Sequence, residues 1–229
     1  MSKQIISSLL LPMPDDFPVA PYEIIHSRYS QRKDSNLMLW KQCAGAWNAV
    51  AYRFLSCTEH DLNYTQYVRQ GSADPSHANV YLQERELFGF FITGLAAIES
   101  FYYGIFAIAS MIKNVDFPFT TATDFQKVKP IRTAEKFQSS FKHEDIANIL
   151  QQVINTPEFT EWNEIRNILV HRILPNRHYY LGGDKHNQTL WEKGIVIDIN
   201  TTSTRRKWLA KKLNDLLTSA ASFTDKYLQ

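Results

Sequence analysis

The chain has 229 residues, of which 44% are hydrophobic and 21% are charged, and its formal net charge is +2. This composition supports a packed core and excludes a disordered, collagen-like or disulfide-rich protein. This near-neutral net charge neither requires nor excludes a nucleic-acid partner, because local patches of charge decide such binding.

The N-terminal segment is predicted to be an extended arm. Its four prolines are Pro12, Pro14, Pro18 and Pro21. They lie in a polar, charged stretch that ends near Ser35, and this composition favours turns and extended backbone. The first residues also lack the apolar run and cleavage site of a signal peptide. We therefore expect residues 1–35 to form an arm on a single domain of residues 36–229, in a cytoplasmic protein.

A long helix is predicted from Asn36 to about Gln70, since its apolar residues recur three and four positions apart. The two cysteines of the chain, Cys43 and Cys57, lie in this helix. At a rise of about 1.5 Å per residue they would be roughly 21 Å apart, which is beyond the reach of a disulfide. Free cysteines suit a reducing cytosol, and their spacing does not match a zinc or redox motif.

The second predicted helix, from about His77 to Lys113, contains a long apolar run. Between Leu87 and Ile112 the only charged residue is Glu99, and a run of this length passes the threshold for a transmembrane helix. A central carboxylate is costly in lipid, however, and the aromatic residues are not gathered at the ends. We therefore expect a core helix and no membrane partner. A membrane-associated protein built on this segment is the alternative.

Shorter elements are predicted in the second half of the chain. They are a loop over 114–130, helices over 133–141, 144–154 and 157–174, a small β-hairpin within 179–199, and a last helix capped near residue 202. Thr156 can cap the helix that Pro157 begins, and Pro175 can end it. The expected fold is all-α, a bundle of four to five main helices with one inserted hairpin.

One helix carries an arginine where an apolar residue would be expected. With residues placed about 100° apart, Arg166 falls near the middle of the apolar stripe of the 157–174 helix, and Asn167 and His171 lie at one border. A buried guanidinium is costly unless it is paired. It therefore indicates either a structural ion pair with Glu99 or a site. In a site, Arg166 would bind phosphate or stabilise developing charge, and His171 would move protons.

The segment EIRNILVHR, residues 164–172, resembles the signature of the HEPN superfamily, in which an arginine is followed by four to six residues and then a histidine. In many members a polar residue such as asparagine follows the arginine, as Asn167 does here. The resemblance covers the helical bundle, and it implies a homodimer in which two copies of the motif meet across a two-fold axis.

The resemblance further implies a metal-independent endoribonuclease that needs no cofactor. The ribose 2′-hydroxyl would attack the adjacent phosphate, with His171 as general base or acid and Arg166 stabilising the phosphorane charge. Asn167 would position the histidine or the phosphate, and Glu99 would support the arginine. Many relatives are toxins or defence proteins, so an antitoxin or regulatory protein is a candidate partner beside RNA. Other members keep the bundle without activity, so a non-catalytic module that binds a protein or nucleotide is the main alternative.

Two further clusters are candidate binding sites. Arg205, Arg206, Lys207 and Lys211 begin the last helix and could follow an RNA backbone, although a solvated helix face is the commoner origin of such a cluster. The metal-capable residues His178, Asp184 and His186 flank the hairpin turn but lack a fourth ligand. We therefore expect an RNA contact at the first cluster and no metal at the second.

Overall fold

In a computed structural model, helices make up most of the described chain, which comprises residues 4–32, 37–71, 76–170, 177–179, 189–191 and 195–228. The helices are α1 Val19–Ser30, α2 Leu37–Gln70, α3 His77–Ile112, α4 Ala122–Lys127, α5 Pro130–Ser140, α6 Asp145–Ile154, α7 Pro157–Leu169 and α8 Asn200–Tyr227. The strands are β1 Gln4–Ile6, β2 Leu11–Met13, β3 Arg177–Tyr179, β4 Thr189–Trp191 and β5 Val196–Ile197. The predicted mainly helical fold is confirmed.

The two longest helices, α2 and α3, pack against each other in antiparallel directions. A residue late in α2 meets one early in α3, since His60 Nδ1 lies 2.7 Å from Glu86 Oε2. Conversely, the hydroxyl of Tyr103 donates to Gln42 Oε1 over 2.8 Å. By length and composition α3 could cross a membrane, but 72% of its most apolar window is buried inside the protein. This burial fits the predicted core helix.

A tryptophan of α7 packs against α3 where α3 has a glycine. The indole of Trp162 is fully buried, with its ring centroid 5.1 Å from that of Phe90 and 5.4 Å from that of Phe91. A Cβ atom built on Gly94 would overlap this ring. Gly94 therefore allows the close approach that places the face of α7 carrying Arg166 beside α3.

The prediction of an extended N-terminal arm is wrong for most of that segment. Strands β1 and β2 form a hairpin, and α1 follows it. Pro21 lies in the first turn of α1, where a missing N–H breaks no helical hydrogen bond. Tyr22 and Tyr29 are fully buried, and the Tyr22 ring stacks on that of Trp47 with centroids 5.7 Å apart. These residues therefore belong to the same hydrophobic core as α2.

Two other segments differ from the sequence-based expectation. The loop predicted over 114–130 contains α4, whose first turn is stabilised by a reciprocal capping box between Thr121 and Asp124. The predicted hairpin near 179–199 has three described strands in the antiparallel order β3-β4-β5. Its predicted turn, Gly182-Gly183-Asp184, lies outside the described residues.

A buried ion pair holds this second sheet against α3. Arg177 of β3 forms an ion pair with Glu84, and their side chains are only 5% and 10% exposed. Arg177 Nη1 also donates to Gln83 Oε1 over 2.8 Å, and Trp191 Nε1 donates to Glu84 Oε1 over 3.4 Å. The sheet is therefore attached to the bundle through charged and hydrogen-bonded groups shielded from water.

Candidate functional site

Arg166, in the last turn of α7, lies beside Glu99 of α3. The distance from Arg166 Nη2 to Glu99 Oε1 is 3.7 Å, so the predicted pairing of these two charges is present. The two side chains are 32% and 38% exposed, however, and the expectation that Arg166 is buried within an apolar stripe is wrong. At this position the face of α7 borders an open groove as well as α3, so the guanidinium keeps partial access to solvent.

A neighbouring amide orients Arg166. Asn163, one helical turn earlier, accepts a 3.4 Å hydrogen bond from Arg166 Nη2 through Oδ1. Asn163 is itself held by the 2.8 Å bond that its Nδ2 donates to the Phe159 carbonyl. The Nε atom of Arg166 is shielded from solvent and has no hydrogen-bond partner among the described residues. The guanidinium is therefore oriented by Asn163, and its shielded Nε donor is unpaired within the described part of the chain.

The other residues of the predicted motif are less informative. Asn167 is exposed and does not line the groove beside Arg166. The described part of α7 ends at Leu169, with Val170 as its C-cap. His171 lies outside the described residues, as do the last positions of the helix predicted to reach Leu174. The relation between Arg166 and His171 therefore stays a prediction.

The groove beside Arg166 is a cleft of about 1320 Å³. Its walls come from α2, α3, α7, the end of α6, and the segment that begins α5. Its charged lining residues are Lys41, Arg53, Lys129, Arg132, Arg166, Glu99 and Glu135. Five cations and two carboxylates make the lining formally +3, whereas the whole chain is +2 and the remainder therefore −1. The excess positive charge of the protein is thus concentrated in one concavity.

Several of these cations are not engaged within the protein. Lys41, Lys129 and Arg132 form no ion pair with any described residue. Arg53 Nη1 donates to the Ala96 carbonyl over 3.1 Å and also to the Ser100 hydroxyl, which are neutral acceptors. The cleft therefore presents cationic groups whose charge is not neutralised by a carboxylate, as an anionic ligand requires.

The beginning of α5 adds further donors to this cleft. Lys129 is its N-cap and makes no side-chain capping bond, and Pro130 occupies the first turn. Lys129, Pro130 and Arg132 all line the cleft, so the first turn of α5 borders it. The unpaired N–H groups of a helix start carry a partial positive charge. They therefore reinforce the positive field of the side chains.

Sequence reasoning did not identify Arg53, Lys129, Arg132 or Asn163 as site residues. One signal was present, because Lys127, Lys129, Arg132 and Lys136 form a basic run around Pro130. For Asn163 the signal was its position three residues before Arg166, which places both side chains on one helix face.

The basic cluster of α8 is largely committed to structural ion pairs. Arg205 forms an ion pair with Glu161 of α7. Arg206 pairs with Asp16 and, through Nε and Oδ2 at 2.8 Å, with Asp61 of α2. The predicted RNA-binding set thus contains two arginines that join α8 to other segments. The other two residues of the set, Lys207 and Lys211, are exposed.

A second cluster of titratable groups lies between α2 and α3, away from the cleft. The Glu86 side chain is only 2% exposed and accepts hydrogen bonds from Arg85 and Asn63, and it contacts His60. Burial opposes its ionisation, but these hydrogen bonds outweigh burial and hold the pKa of Glu86 below its ordinary value of 4.5. The cluster is a buried carboxylate satisfied by its neighbours.

The thiols and potential metal ligands of the described residues form no further site. Cys43 and Cys57 are free and fully buried, and burial raises the pKa of both thiols. Within the described residues, His, Cys, Asp and Glu side chains nowhere form a group of three that could hold a metal ion. The side chains of His178, Asp184 and His186 lie outside the described part of the chain.

No family model matches the sequence, and neither a curated protein nor a solved structure is significantly similar to it. The function must therefore be argued from the site itself.

Proposed function

We propose that the protein is a metal-independent endoribonuclease of HEPN type that acts through Arg166 and His171. The observation that carries the proposal is the position of Arg166. Its guanidinium is oriented by Asn163, 32% exposed, and located at the wall of a cleft whose charged lining residues are mostly cations. A purely structural arginine would be expected to be enclosed with its carboxylate, as Arg177 is with Glu84.

In this reaction the ribose 2′-oxygen attacks the adjacent phosphorus, and the bond from phosphorus to the 5′-oxygen breaks. The products are a 2′,3′-cyclic phosphate and a 5′-hydroxyl. One His171 imidazole would take the proton of the 2′-hydroxyl or give a proton to the leaving oxygen. Arg166 would stabilise the negative charge on the phosphorane. A homodimer would supply both protonation states of histidine, because each subunit contributes one copy.

The alternative is a non-catalytic bundle in which Arg166 serves only to neutralise Glu99. The 3.7 Å contact between their side chains favours this reading. The contact is exposed, however, and Arg166 has an unpaired donor, so it does not account for the positive charge of the rest of the cleft. We therefore prefer the ribonuclease to the non-catalytic bundle as the proposed function.

The test is cleavage of a mixed structured RNA in EDTA by the wild type and by His171→Ala. The matched control is His143→Ala, because His143 is exposed and does not line the cleft. We expect the wild type and His143→Ala to produce cyclic-phosphate ends and His171→Ala to produce none. Sedimentation should give a mass near twice 26.6 kDa. A dimeric wild type that leaves RNA intact at high concentration would overturn the proposal in favour of the non-catalytic bundle.

A further inference from the structure

Four cations of the cleft have no role in the proposed reaction itself. Lys41, Arg53, Lys129 and Arg132 line the same concavity as Arg166. A reaction at one phosphodiester requires only the groups around that phosphate, so four additional cations need another explanation. Three of them have no ion pair among the described residues. Their arrangement is therefore informative about the ligand.

These cations are distributed along the cleft. Arg53 marks one end, because it donates to Ser100, the residue next to Glu99. Lys41 lies twelve residues earlier on α2, which corresponds to about 18 Å along the helix axis. Lys41 and Arg53 are the first and last residues of α2 that line the cleft, and Gln42, the neighbour of Lys41, accepts from Tyr103, which lies further toward the C-terminal end of α3 than Ser100. The cleft is therefore an elongated site with separate positive ends.

The α5 cations belong to the end that is marked by Lys41. Arg132 lines a small cavity together with Phe106 and Pro118, which follow Tyr103 along the chain. Lys129 and the uncapped start of α5 lie three residues before Arg132. Arg166 and Arg53 therefore lie toward one end of the cleft, and Lys41, Lys129 and Arg132 lie toward the other.

The length and the lining of the cleft both fit a single-stranded polyanion. A span of about 18 Å corresponds to about five stacked nucleotides at roughly 3.4 Å each. The cleft volume of about 1320 Å³ exceeds the usual range of small-ligand pockets, about 300–1,000 Å³. Of its aromatic lining residues Tyr102 and Phe159 are buried, and only Tyr103 is partly exposed. Recognition would therefore rest on phosphates more than on base stacking.

We propose that this cleft binds a single strand of about five nucleotides by its phosphates, with Lys41, Lys129 and Arg132 holding the segment remote from Arg166. The inference rests on the proposed function for the choice of RNA as the polyanion. It assigns the substrate-binding surface to α2 and the start of α5, and not to the lysines of α8.

The expected salt dependence of binding follows from the counterions that the strand releases when its phosphates are neutralised. Five phosphate contacts to a single strand predict a slope of about −3.5 in the logarithm of the association constant against the logarithm of salt concentration. Raising salt from about 50 to about 200 mM should then weaken binding roughly 100-fold. Removing two contacts should change the slope to about −2 and weaken binding about 25-fold near 0.1 M salt.

The experiment measures fluorescence anisotropy of 2′-O-methyl oligouridylates of two, five and ten nucleotides in EDTA, each labelled through a 5′-phosphate so that the five-nucleotide strand carries five phosphates. These strands lack the attacking hydroxyl, so binding is measured without cleavage. The test variant is Lys41→Gln/Arg132→Gln, and the matched control is Lys207→Gln/Lys211→Gln, which removes two exposed lysines of α8. Circular dichroism should show that both variants remain folded.

We expect the five- and ten-nucleotide strands to bind with similar affinity and the dinucleotide to bind much more weakly. Only the cleft variant should bind more weakly than the wild type and show a smaller salt dependence of the association constant. Equal binding of the dinucleotide would overturn the proposal in favour of a small phosphorylated ligand. An equal loss in the α8 control, or no binding of the ten-nucleotide strand, would also overturn it. Binding as expected without cleavage of ordinary RNA would refute only the ribonuclease.

Discussion

Two of the arginine–glutamate pairs that involve α3, Arg177 with Glu84 and Arg166 with Glu99, provide a comparison of a buried and an accessible ion pair within one protein. We consider Arg177→Met and Arg166→Met, which remove the guanidinium and keep a long apolar side chain. Arg177 and Glu84 are 5% and 10% exposed, whereas Arg166 and Glu99 are 32% and 38% exposed and 3.7 Å apart. The same substitution should therefore have very different effects on the free energy of unfolding.

Removing Arg177 leaves the Glu84 carboxylate unpaired in a region shielded from water, which typically costs about 3–5 kcal/mol. Removing Arg166 leaves Glu99 in contact with solvent, and exposed pairs contribute about 0–1 kcal/mol. For a chain of this size about 1 kcal/mol corresponds to roughly 2–4 °C in Tm. We therefore expect Tm to fall by about 6–20 °C for Arg177→Met and by no more than about 4 °C for Arg166→Met.

The assay is urea unfolding followed by circular dichroism, with thermal melts of the same samples. Glu84→Leu/Arg177→Met should be more stable than Arg177→Met alone, because no buried charge is then left without a partner. A loss of about 3 kcal/mol or more in Arg166→Met would refute the reasoning. It would show that Arg166 is a structural charge, and it would favour the non-catalytic bundle over the ribonuclease.

Three further predictions concern the core and the titratable groups. Gly94→Ala should lower stability by about 1–3 kcal/mol in urea unfolding, since the methyl group overlaps a buried indole. Its control Gly45→Ala, with no atom within 4 Å of the new Cβ, should raise stability by about 1 kcal/mol. Because the pKa of Glu86 is depressed on folding, its stabilising effect is present above pH 4.5 and is lost as pH falls through the folded pKa. Thermal melts between about pH 6 and pH 3 should therefore show a weaker acid dependence in Glu86→Gln, and an unchanged slope would contradict the assignment. Iodoacetamide at about pH 8 should label Cys43 and Cys57 only after unfolding, because burial raises the pKa of both thiols, and mass spectrometry of the folded protein would reveal any exception.

Local sequence patterns were sufficient to predict the main helices. The periodicity of α2 and the apolar run of α3 predicted both helices nearly to the residue, as did Thr156 and Pro157 for the start of α7. The pairing of Arg166 with Glu99 was also predictable, because Glu99 is the only charge between Leu87 and Ile112 and Arg166 is the one basic residue of α7. The helices depend on neighbours within one or two turns, and these neighbours are present in the sequence.

Other features depended on residues far apart in the chain. Prolines near α1 suggested extended backbone, yet the burial of Tyr22 and Tyr29 against α2 stabilises a helix there. From the sequence, Arg205 and Arg206 were expected to form a basic face that contacts RNA. In the structure each of them forms an ion pair with a carboxylate of another segment. A charge pattern along one helix cannot show whether a carboxylate from another helix neutralises it.

The sequence alone therefore determined the helical class, the core role of α3 and the candidate motif around Arg166. Only the tertiary structure decided that Arg166 is exposed, because exposure depends on which helices leave a gap beside α7 and not on the periodicity of α7. The cleft is likewise a tertiary feature, since Lys41 and Arg132 come from separate helices. Its positive charge comes from side chains of several helices, and no single segment of the sequence contains it.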